Sequence, residues 1–67
     1  MTTITFETPE DFNEGHHICC SHSARQTFTG DVDFSYAERK AFFSDIYHAR
    51  NTIELLNQAK LKFIVTN

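Results

Sequence analysis

Between His16 and His22 the chain runs His-His-Ile-Cys-Cys-Ser-His, and His48 stands further on. Imidazole and thiolate are the ligands of tetrahedral zinc, and a structural metal supplies folding energy that a short chain lacks. His16, Cys19, Cys20 and His22 are the set such a site would use. Zinc modules, however, draw two pairs of ligands from separated segments, so that the ion joins distant parts of the chain. Here the four come from one segment, and neighbours on a strand point to opposite faces. The first expectation is no metal and no cofactor, with Cys19 and Cys20 as small buried residues. A zinc domain on those four residues is the alternative. A stabilising disulfide is excluded, because a bridge between adjacent cysteines closes a strained ring without tying distant segments together.

The same residues include the types of a thiolate nucleophile and its base, Cys20 with His22 or His48. Such a site also needs an orienting group, an oxyanion donor and a concave pocket, for which 67 residues offer little material. There is no G-x-S-x-G, no H-E-x-x-H and no phosphate-binding glycine loop, and the chain holds only two glycines. No catalytic residue and no enzyme activity are expected.

Charge is unevenly shared. Residues 1–34 carry Glu7, Glu10, Asp11, Glu14, Asp31 and Asp33 against Arg25, a balance of −5, while residues 35–67 balance at +2. The net charge of −3 lacks the basic footprint that neutralises phosphates, which argues against direct nucleic-acid binding. An acidic front is often no more than a solvated surface that keeps a small protein soluble. As a contact surface, Glu10, Asp11 and Glu14 would favour a basic partner.

The longest uninterrupted periodic stretch is Ser35 to Lys60, without Gly or Pro. Phe42, Ile46, Ala49, Ile53 and Leu56 fall on one side of a helix there, and Ser35-x-x-Glu38 has the form of a capping box. Tyr36, Phe43 and Tyr47 would form a second, aromatic stripe on that helix. One small sheet covers one side of a helix, so Tyr36, Phe43 and Tyr47 are the expected partner-binding residues. The bland alternative is a deep helix with both stripes inside the core.

Elsewhere, Thr2 to Glu7 alternates as a half-buried strand with Ile4 and Phe6 on one face. Thr8-Pro9-Glu10-Asp11 starts a helix, and Gly15 is its natural stop. A strand is expected near His16 to Cys20, a turn through Ser21 to Ala24 and a strand near Gln26 to Thr29, with a rival in which the helix continues through Gly15 towards His22. Gly30-Asp31 signals a turn, Val32 to Phe34 extends the β segment, and Leu61 to Thr66 is the last strand.

The expected architecture is a single α+β domain over residues 1–67, ordered β-α-β-β-α-β, with the long helix on a small sheet. Without a basic, apolar leader or a spanning apolar run, the expected location is cytoplasmic, with no membrane contact. These features suit a non-enzymatic interaction protein, a stoichiometric regulator or inhibitor of the kind found among small accessory proteins of bacteria and their phages. A homodimer through the long helix is the remaining expectation, since a second copy would add burial that so short a chain lacks.

Overall fold

The computed structural model describes residues 1–21, 24 and 31–66. Thr2–Phe6 forms β1, Pro9–Cys19 α1, Val32–Ser35 β2, Lys40–Phe43 β3, Ile46–Gln58 α2 and Phe63–Thr66 β4. The β-α-β-β-α-β order and the α+β class are as expected. The residues that fill the middle of that order are different ones.

The helix expected from Ser35 begins only at Ile46. Ser35 ends β2, residues 36–39 turn, and Lys40–Phe43 returns as β3. In β3 the faces alternate, with Ala41 and Phe43 buried and Lys40 and Phe42 half-buried. Flanked by β1 and β2, this strand encloses Phe43 completely. Ser35 therefore caps no helix. That role falls to Asp45, whose carboxylate accepts the backbone N–H of Tyr47 at 2.8 Å and of His48 at 3.3 Å.

The strand expected at His16 to Cys20 is also absent, because α1 runs on through Gly15 to Cys19. Thr8 caps it, accepting the N–H of Asp11 at 3.1 Å, and Pro9 occupies its first turn. Gly15 is buried in the helix interior rather than at its end. A Cβ there would collide with the Phe6 ring, so its bare backbone is what lets β1 and α1 approach. The strand expected at Gln26 to Thr29 lies outside the described residues.

The four strands form one antiparallel sheet ordered β2-β3-β1-β4. This is the split β-α-β connectivity, in which each helix carries the chain across an intervening strand. Ile4, Phe6, Ala41 and Phe43 of the sheet join Phe12 and Cys19 of α1 and Ala49 and Leu56 of α2 in one core, so both helices cover the same face. By register, the other face displays Thr3, Thr5, Asp33, Ser35, Lys40, Phe42, Ile64 and Thr66.

Among the described residues, two other than glycine have positive φ, Arg39 at 55° and Lys60 at 61°. Lys60 follows the end of α2, where Leu61 N–H donates to Leu56 O at 3.2 Å and Lys60 N–H to Asn57 O at 3.0 Å. This is a Schellman-type ending with lysine in the place glycine favours. Lys60→Gly should raise stability by about 0.5–1 kcal/mol in denaturant melts, since the left-handed strain exceeds the extra entropy of an unfolded glycine. Gly15→Ala should do the reverse. Its gain of about 1 kcal/mol in helix propensity is outweighed by overpacking against a fully buried ring, for a net loss of about 2 kcal/mol and a Tm lower by about 10 °C.

Candidate functional site

The expected aromatic stripe is divided among three elements. Phe43 points into the core and has no exposed surface. Its ring meets that of the buried His48 edge to face at 5.0 Å. Tyr36 sits in the β2–β3 turn, 68% exposed, and Tyr47 in the first turn of α2, 64% exposed. β3 separates the two tyrosines along the chain, so they lie at opposite ends of the sheet. No single patch holds all three rings.

Tyr36 instead belongs to a cluster built by α1 and β2. Phe12 and His16 are four apart on α1 and so share a face, with ring centroids 6.2 Å apart. The Tyr36 ring stands edge to face with Phe12 at 5.1 Å and lies 6.0 Å from His16. Phe34 of β2 closes the group, 4.3 Å from His16 and 6.2 Å from Phe12. Phe12 is buried and Phe34 and His16 are half-buried, so an exposed tyrosine rests on a fixed apolar shelf. Edge-to-face pairs of this kind are worth about 0.5–1.5 kcal/mol beyond the area they bury. The histidine partner was hidden in the sequence, because His16 stood there as a metal ligand and Tyr36 as a helical residue.

The acidic residues of α1 divide between two roles. Glu10 and Glu14 are exposed on the helix side away from the core. Asp11 is half-buried and accepts the Thr8 hydroxyl at 2.9 Å, so it is held in the start of its own helix. Both glutamates belong to the element that carries Phe12 and His16, but on its opposite, solvent-facing side.

Continuing α1 as a helix also parts the two cysteines of the would-be metal site. Cys19 is buried in the core, Cys20 is exposed, and both are free thiols. His16 is engaged by its aromatic neighbours, and His22 lies outside the described residues. Among the described residues no three His, Cys, Asp or Glu side chains converge on a metal-sized space. A shallow cavity of about 270 Å³ lies at the C-terminal end of β1, lined by Thr5, Phe6, Glu7, Arg39, Phe63 and Ile64. The Arg39 Nε–H there donates to the Phe6 carbonyl at 3.2 Å, which ties the turn to β1.

No protein-family model, curated protein or solved structure matches the chain. Among the described residues no helix is long and apolar enough to cross a membrane.

Burial pushes the Cys19 thiol up to about 12, with the neighbouring Cys20 adding to the shift. The folded protein should therefore show one thiol reactive towards a disulfide reagent at neutral pH, Cys20, and two after denaturation. Because the folded form favours the protonated Cys19, its contribution to stability is complete below about pH 9. It is lost as pH rises from there towards about 12, which Cys19→Ala should abolish in alkaline melts.

Proposed function

We propose that this protein is a non-enzymatic interaction module, a stoichiometric regulator or inhibitor that docks on another protein through the surface shared by α1 and the β2–β3 turn. Tyr36 is the anchor. What supports this reading is one observation: a ring 68% exposed to solvent yet held against Phe12 and His16. Such a side chain has already lost much of the freedom that binding would otherwise remove, and tyrosine is favoured at the buried centres of interfaces.

The partner surface is basic. Glu10 and Glu14 are exposed on the outer side of α1, the helix that supplies Phe12 and His16, in a half of the chain with a balance of −5, so a cationic patch would be steered towards this end of the molecule at low salt. The setting is cytoplasmic, where adjacent thiols such as Cys19 and Cys20 remain reduced.

Immobilised protein should retain a basic protein from cell extract at low salt and release it as salt rises. Tyr36→Ser should weaken that retention at least about thirtyfold, and Glu10→Lys with Glu14→Lys should lower the association rate. Circular dichroism should show the fold unchanged in both. Equal capture by wild type and Tyr36→Ser would remove the proposal.

A further inference from the structure

Among the described residues the opposite side of the sheet ends in β4, whose outer edge has a definite chemistry. Glu7 N–H donates to Lys62 O at 3.1 Å, and these two residues face each other in the β1–β4 register. Bonded and non-bonded pairs alternate in an antiparallel ladder, so Ile64 and Thr66 also turn their main-chain groups towards β1. Phe63 and Val65 turn theirs outward. The other ladder agrees, since Phe6 N–H reaches Arg39 O at 2.8 Å and so directs Phe6, Ile4 and Thr2 to β3, leaving Thr5 and Thr3 for β4.

Among the described residues no strand lies beyond β4. The sequence Phe-Ile-Val-Thr holds no charge, proline or glycine, and its register with β1 is continuous, without a bulge. Those are the devices by which edges are normally protected. Ile64 is 67% exposed on the helix-free face. On the helix-covered face a groove of about 180 Å³ runs between β4 and α2, lined by Thr2, Ile46, Ala49, Arg50, Ile53 and Val65.

We infer that β4 pairs antiparallel with β4 of a second copy, about a two-fold axis through Ile64, so that two four-stranded sheets become one of eight. Only Phe63 and Val65 can bond outward, so the partner must set odd-numbered residues against odd. The register with Ile64 opposite Ile64 does this. It places Phe63 against Val65 twice, forms four N–H···O bonds and keeps all the helices on one face. It also sets Lys62 opposite Thr66 rather than against another lysine. A slip of two residues to either side would set Ile64 against Lys62 or Thr66 and leave its side chain poorly matched.

A second copy is favoured over another strand by charge and size. Val65 borders the first two turns of α2, and Ile64, one residue nearer the start of β4 and so nearer the end of α2, lies closer to the helix middle, so the axis at Ile64 brings the two α2 helices past one another in opposite directions. Arg50 of one copy then faces Glu54 of the other, and the reverse. Both side chains are exposed, and the ion pair present among the described residues is Lys40 with Glu38. The wall formed by β4 and α2 is about 20 Å long and about 15 Å high. That is a flat footprint of about 300 Å² per copy, about 600 Å² in total before side-chain relief is added, in the class of small, transient interfaces, so the dimer should dissociate reversibly in the micromolar range.

Sedimentation velocity across a concentration series tests this directly. Wild type should move from monomer to dimer over the micromolar range. Val65→Pro should be monomeric at every concentration yet folded, because the N–H it removes points away from β1 and takes no part in the β1–β4 ladder. Ile64→Lys, which places two charges face to face only in the dimer, should do the same. Arg50→Glu should weaken the dimer, and Arg50→Glu with Glu54→Arg should restore it. A wild type that stays monomeric to about 1 mM, or a dimer untouched by both β4 variants, overturns the inference. Either result leaves the Tyr36 surface to stand or fall by its own assay, since the two lie on opposite edges of the sheet.

Discussion

The fold depends on the contact between the Phe6 ring and the backbone of Gly15. Phe6 has no exposed surface, and its ring also meets Phe12 at 5.8 Å and Phe63 at 6.3 Å. One side chain thus joins β1, α1 and β4, and it fits only because position 15 carries no Cβ. A glycine inside a helix costs about 1 kcal/mol relative to alanine. Close approach of helix and sheet offsets that cost by letting a chain of 67 residues enclose a continuous aromatic core.

That contact explains why α1 was hard to delimit from sequence. Gly15 has the form of a helix stop, and only a partner ring from a distant strand shows why the helix passes through it. The stretch from Ser35 to Lys60 failed for a related reason. Ser35-x-x-Glu38 and Asp45 are both capable caps, and Lys40-Ala41-Phe42-Phe43 fits a helical period as well as a strand's. Its neighbours decided the matter: between β1 and β2, Ala41 and Phe43 gain complete burial. Ile4 and Phe6, the Thr8-Pro9 helix start, Ala49, Leu56 and the last strand were legible, because there the local pattern agrees with the tertiary environment.

The candidate surfaces were only partly legible for the same reason. Of the three rings expected on one stripe, Tyr36 and Tyr47 are exposed and Phe43 is buried, and the common stripe is divided by the hairpin. Tyr36 gained instead a setting made by Phe12, His16 and Phe34, which no helical periodicity could have assembled. Conversely, the thiols parted company through helical geometry alone. Successive residues on α1 are turned by about 100°, enough to send Cys19 inward and Cys20 to water.

The pairing of β1 with β4 has a consequence for how the chain reaches its native state. β1 is a central strand, yet both its neighbours, β3 and β4, are synthesised much later, and only β2 and β3 are joined by a short turn. β1 is made long before either mate, so its apolar, β-prone sequence is unpaired until β3 follows and is flanked on both sides only once β4 has been made. Assembly then relies on contacts distant along the chain, which slows folding relative to a chain held by local contacts. During that interval α1, with its own cap and its glycine seat for Phe6, is the nearest shelter the nascent strand has.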